Sequence, residues 1–243
     1  MRRKSSGIPL YCFSPPVMIA TFLFEIGSAL YIIWRYTFNN TTRLVVAILV
    51  CLSIFQYAEY VICGGKGIEW AKIGFVAITL LPPLGFHLAQ EISGRYSPLF
   101  LKLAYLSAAI FIGYFLFSES ITQATCGGNY VIFEYAQRSS VLYGFYYYGW
   151  LIIGLIYSVW AASKVEGKKS QFIRHSLQLL ALAYMLFMLP TTIVNIIDPS
   201  TIAAIPSIMC GFAVILAIIL VGFIMPRIGQ VRARGKTLRY TNK

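Results

Sequence analysis

The sequence predicts an all-α, polytopic integral membrane bundle of seven transmembrane helices, and three observations carry that expectation. The first is composition. Of 243 residues, 58% are hydrophobic and 12% charged, with a mean hydropathy of +0.73, where a soluble domain holds roughly 45–50% apolar and 25% charged residues. Half the usual charge cannot coat a globular surface, and the same numbers exclude disorder, a coiled coil, collagen and a small disulfide scaffold. The second is span. Seven windows reach the ~20 mostly apolar residues that cross the hydrocarbon: 17–36, 44–63, 71–92, 99–118, 141–163, 174–197 and 203–225. The third is the lack of alternating ten-residue barrel segments, which leaves a helical bundle to satisfy the backbone in lipid.

Each window ends on turn or charge signals. They are Asn39 to Thr42, Gly64-Gly65-Lys66-Gly67, Gly94 to Pro98, the longer stretch 119–140, Lys164 to Ser170, and Asp198-Pro199-Ser200. The organisation expected is a 1–16 external segment, a 17–225 transmembrane domain and a 226–243 basic tail. Residues 1–16 end in Pro15-Pro16 without a small-residue cleavage site, so that segment is expected to stay attached. Orientation follows from basic residues in short loops. Six of them fall on one side (Arg2, Arg3, Lys4, Lys66, Lys72, Arg138) and fourteen on the other, including Arg35, Arg43, Arg95, Lys102, Lys164, Arg174 and the tail. The bias puts the N-terminus out and the C-terminus in the cytoplasm. The net charge of +12 then reads as juxtamembrane charge facing the lipid bilayer. A nucleic-acid role is not expected, because the tail has no folded basic face.

Five cysteines are present: Cys12, Cys51, Cys63, Cys126 and Cys210. Cys51 and Cys210 fall inside spans and read as small apolar residues. Cys63 and Cys126 both fall on the expected outer face, each followed by two glycines, and make a reasonable disulfide pair that would tie the 119–140 loop over the bundle mouth. Cys12 is a competing partner.

Carboxylates inside spans cost roughly 2.5–3.5 kcal/mol on insertion scales, so each needs a reason. Glu25 sits midway along the first span, where it either pairs across helices or stays protonated. Glu59 follows Gln56 by three residues and precedes Cys63 by four, so the three share a helical face. These residues read either as packing partners or, with Tyr146 and Trp150 of the aromatic run Tyr143–Trp150, as the lining of an outer ligand pocket. The aromatic run reads equally as an interfacial belt. In the third span Pro82-Pro83 withholds two backbone donors and frees the carbonyls of Ile78 and Thr79. His87, Gln90 and Glu91 follow on one face, the arrangement of a polar switch beside a kink. Glu91 and Arg95, four apart, are expected to form an ion pair. Pro190 and Pro206 mark further distortions in the sixth and seventh spans.

The stretch Leu81-Pro82-Pro83-Leu84-Gly85-Phe86-His87-Leu88-Ala89-Gln90-Glu91-Ile92-Ser93-Gly94-Arg95, in a seven-span chain with its N-terminus out, resembles the N-terminal sensor module of prokaryotic histidine kinases and cyclases. The segments Phe55-Gln56-Tyr57-Ala58-Glu59-Tyr60 and Cys126 to Phe133 look similar to uncharacterised bacterial seven-span proteins of that layout. The resemblance implies a receptor-like sensor in a bacterial inner membrane that takes a small-molecule ligand at its outer face. No kinase or cyclase motif follows the seventh span, so the output is expected to come from a separate cytoplasmic or membrane signalling partner. Residues 203–225 hold no lysine, which excludes a retinal Schiff base. Neither cofactor nor enzymatic activity is expected, since hydrolase and phosphate-loop motifs are missing. Two other readings remain open: a transporter or accessory subunit of a larger complex, and a haem- or metal-binding membrane enzyme using His87, Glu91 and His175.

Overall fold

The computed structural model describes residues 15–65, 67–118, 121–126, 131–135, 137–166, 170–198, 204–229, 231–232 and 237–238. Its helices are α1 (Pro15–Arg35), α2 (Asn40–Cys63), α3 (Ile68–Thr79), α4 (Leu81–Ser93), α5 (Pro98–Phe117), α6 (Gln137–Ser163), α7 (Gln171–Ile197), α8 (Ile205–Ile219) and α9 (Met225–Ile228). An antiparallel hairpin, β1 (Ile121–Cys126) with β2 (Val131–Tyr135), joins α5 to α6. In the tail, β3 (Val231–Arg232) pairs with β4 (Thr237–Leu238). Among the described residues seven helices, counting α3–α4 and α8–α9 as one each, are long and apolar enough to cross a membrane. The chain is an all-α, multi-pass membrane protein. Its outward faces agree with that. α5 buries only Ala104, Ala108 and Phe115, and Leu99, Leu103, Leu106 and Ile110 are exposed along its length. Such a surface is stable in acyl chains and not in water.

Antiparallel passage puts the hairpin, the C-termini of α2, α5 and α7 and the N-termini of α1, α3, α6 and α8 at one end of the bundle. The opposite end carries the α1–α2, α4–α5 and α6–α7 connections and the tail. The hairpin is a plug as well as a connection. Ile121, Val131 and Phe133, at alternating positions, are buried, and Phe133 packs on Phe55 and Phe75 with ring centroids 6.2 and 5.0 Å apart.

The third span divides at Leu80, as the two prolines dictate. Leu80 keeps right-handed helical dihedrals (φ −79°, ψ −18°), so the break is a kink with the chain still helical. The freed Thr79 carbonyl accepts a hydrogen bond from the Tyr146 hydroxyl at 2.6 Å. The Thr79 hydroxyl donates back to the Phe75 carbonyl at 2.5 Å and shares a hydrogen bond with Tyr143 at 3.0 Å. At the lower end Gly94 takes φ +66°, the left-handed conformation that glycine adopts without a Cβ penalty, and terminates α4. The seventh span holds a π-helical turn at Leu220–Ile224, just before Pro226, whose missing N–H cannot bond the carbonyl four residues back.

Helices α4, α6 and α7 meet where glycine admits a tyrosine. A Cβ at Gly85 would overlap the Tyr184 hydroxyl, and one at Gly154 would lie 3.0 Å from it. That hydroxyl is buried without a hydrogen-bond partner, beside a cavity of ≈ 20 Å³, room for about one water. Gly85→Ala is therefore expected to cost about 1–3 kcal/mol by overpacking. Tyr184→Phe alone should be near neutral, since it removes an unsatisfied group, and in the double variant it should recover much of the loss. Thermal unfolding in detergent measures all three.

Candidate functional site

At the hairpin end, α1, α2 and α8 bring together polar side chains that an apolar bundle has no packing reason to hold. Glu25 of α1 is fully buried and Glu59 of α2 is 2% exposed. The two carboxyl groups lie within electrostatic range of each other, and Cys210 of α8 lies within range of both. Both oxygens of Glu25 and Oε1 of Glu59 have no hydrogen-bond partner. The Ser207 hydroxyl, from the first turn of α8, hydrogen-bonds the Glu59 carboxylate, and the Val131 backbone N–H donates to Ser207 Oγ at 3.1 Å. Gln56 is buried one turn from Glu59 on the same face.

This site is roofed by the hairpin. A disulfide joins Cys63, the last residue of α2, to Cys126, the last of β1, with Cα atoms 5.0 Å apart. The α2 helix thus carries both the covalent anchor of the hairpin and, four residues earlier, the carboxylate that Ser207 links to its second strand. Cys51 and Cys210 are buried free thiols. Cys12 lies outside the described residues.

The other expected ligand residues are engaged elsewhere. Tyr146 serves the Thr79 carbonyl, and Trp150 Nε1 donates to Ser107 Oγ at 3.0 Å while its ring packs on Phe86. Tyr143, Tyr146 and Tyr147 of the aromatic run are buried inside the bundle and do not serve as an interfacial belt, while Phe145 points outward. The i, i+3, i+4 spacing of the three tyrosines was the signal: it turns them to one face, which meets Phe75, Phe111 and Phe115.

The stripe after the kink does not converge on one centre either. His87 Nδ1 bonds the Tyr105 hydroxyl at 3.1 Å. Gln90 Oε1 accepts the Ser97 N–H at 3.2 Å, its Nε2 buried without a partner. Glu91 accepts from the Tyr96 hydroxyl, which pushes that phenol up to about 12. The expected Glu91–Arg95 pair is replaced, since Gly94 ends the helix and turns Arg95 away. Arg95 donates to the Lys164 carbonyl at 3.2 Å and lies over the Trp160 ring. Pro82 and Pro83 are buried at the kink itself. His175 is exposed, and among the described residues no group of three or more His, Cys, Asp and Glu side chains is placed to hold a metal ion.

Sequence reasoning missed Ser207 and the Val131 N–H. Ser207 was visible as one of few polar residues in the seventh span. The Val131 contact is a backbone group and left no compositional trace. No known protein family, characterised protein or solved structure matches this chain.

The bridge has a direct check. Trypsin cuts at Arg43, Lys66, Lys102 and Arg138 should leave fragments 44–66 and 103–138 joined without reductant and separate with it. Migration as two species in the unreduced digest would remove the anchored hairpin.

Proposed function

We propose that the chain is a receptor-like seven-span sensor of a bacterial inner membrane. It binds a small cation at its outer face between Glu25 and Glu59, and signals through a separate partner at the tail end. In this reading the hairpin is outside and the tail cytoplasmic, as the distribution of basic residues favours. The observation that carries it is the set of three unpartnered carboxyl oxygens on two buried glutamates within electrostatic range of each other. Burying polar groups without partners is costly, and ionisable residues at membrane depth mark ligand or ion sites by default. A cation between the two would satisfy those oxygens.

The arrangement supports a sensor because the site is linked to movable elements. A ligand shifts a bundle only through differential affinity for two of its states. Here Glu59 connects through Ser207 to the hairpin and to the span that contains the π-turn, and π-turns recur at functional sites. On the opposite face the connections 35–43 and 94–98, with 164–166 and 170–174 between α6 and α7, would receive a partner.

Thermal unfolding of the purified protein with sodium, calcium or a short diamine tests the site. One of these should raise the midpoint, by about 2.7 kcal/mol of stabilisation at a hundredfold excess over Kd, and Glu59→Gln or Glu25→Gln should abolish the rise. No rise with any of the three, or a rise unchanged in both variants, would overturn the cation reading. The signalling role is tested by crosslinked purification of the tagged chain from its native membranes. A kinase, cyclase or regulator should be recovered, and a fixed set of membrane subunits would instead mark one component of a larger complex.

A further inference from the structure

A second site lies at the tail end, on the flank between α4, α5 and α6. Phe86 of α4, Ser97 and Phe100 at the start of α5, and Ile153, Ile156, Tyr157 and Trp160 of α6 line an open lateral groove of ≈ 360 Å³. That volume falls in the roughly 300–1,000 Å³ range of small-molecule sites. Apart from Ser97 and the Tyr157 hydroxyl its lining is apolar. The groove has a direction. Its shallow end is level with the last turns of α4 and α6 and the first turn of α5, and from Trp160 to Ile153 it runs about 10 Å toward the middle of the membrane at 1.5 Å per residue.

The shallow end is basic and fixed. Arg95 is exposed, its guanidinium 5.8 Å from the Trp160 ring centroid and its Nη2 hydrogen-bonded to the Lys164 carbonyl at 3.2 Å. The backbone that carries it is held as well, since the Tyr157 hydroxyl donates to the Arg95 carbonyl and shares a hydrogen bond with Ser93 at 3.0 Å. A guanidinium has five donors in a planar fork suited to phosphate, and a single hydrogen bond to Lys164 leaves most of them available. Glu91, one turn earlier, is turned to Tyr96. Lys164 adds a second exposed cation at the same level.

We infer that this groove binds one anionic phospholipid of the tail-end leaflet, with an acyl chain along Phe86, Ile153 and Ile156 and the phosphate on Arg95. The complementarity is double: an apolar trough open to the bilayer, and a pre-positioned cation at headgroup depth where Trp160 marks the interface. The site stands apart from the Glu25–Glu59 pair at the other end, so either can fail without the other.

Native mass spectrometry of the full chain, delipidated in detergent and offered phosphatidylglycerol and phosphatidylcholine of identical chains, tests it. The wild type should retain one lipid, with about fivefold preference for the anionic one, the size of one basic residue's attraction to an anionic headgroup. Arg95→Gln should keep the adduct and lose the preference. Ile156→Trp, which fills the trough, should lose the adduct of both lipids. Arg95 is exposed, so its variant reads the headgroup contact even if Ile156→Trp fails to fold. No retained lipid, retention without headgroup preference, or wild-type behaviour in both variants would overturn the assignment.

Discussion

In a layer without water every backbone donor and acceptor must find a protein partner, and Pro82-Pro83 breaks that rule in the middle of the third span. The Tyr146 hydroxyl meets part of the debt by taking the Thr79 carbonyl. This one hydrogen bond fixes the rotation of α6, since Tyr143 on the same face then reaches the Thr79 hydroxyl. Three turns further along that helix Tyr157 holds the Ser93–Arg95 connection. With α6 fastened along both halves of the broken span, the hairpin that immediately precedes it is carried over the bundle mouth. There Phe133 fills the space between Phe55 and Phe75.

The hairpin is held by three unlike devices: the Cys63–Cys126 bond, the buried alternate side chains of its two strands, and the hydrogen bond from Val131 to Ser207. The third leads to Glu59, so the lid and the buried carboxyl pair belong to one connected structure. Glu25 is the least supported member, with neither oxygen bonded. Interiors tolerate such groups poorly unless they are functional. The least satisfied side chains thus lie directly beneath the most anchored element of the hairpin end.

The two ends of the molecule differ in chemistry. Beneath the hairpin the polar groups are buried, acidic and incompletely satisfied. At the tail end Arg95 and Lys164 are exposed and, the buried Gln90 Nε2 apart, the polar side chains are paired: Arg95 with Lys164 and Trp160, Glu91 with Tyr96, His87 with Tyr105. A stripe that looks like one centre in sequence is divided there among three neighbours, because Gly94 ends the helix within a turn of Glu91 and the α5 chain returns beside it.

By itself the sequence determined the seven spans, their breaks, the kink at Pro82-Pro83, the placement of Glu25 and Glu59 within spans and the candidacy of Cys63 and Cys126. All of these follow from local quantities: apolar length, proline chemistry, and the side of the membrane to which an odd or even connection returns. Only the tertiary structure decided that Glu25 and Glu59 lie within electrostatic range of each other, that Ser207 links Glu59 to the hairpin, that Tyr146 and Trp150 serve the packing of α6, and that the 119–140 segment contains paired strands. Those outcomes depend on how each helix is rotated about its axis and which helices are neighbours. A rotation of one residue, about 100°, moves a side chain from a carboxylate to lipid, and composition is blind to it.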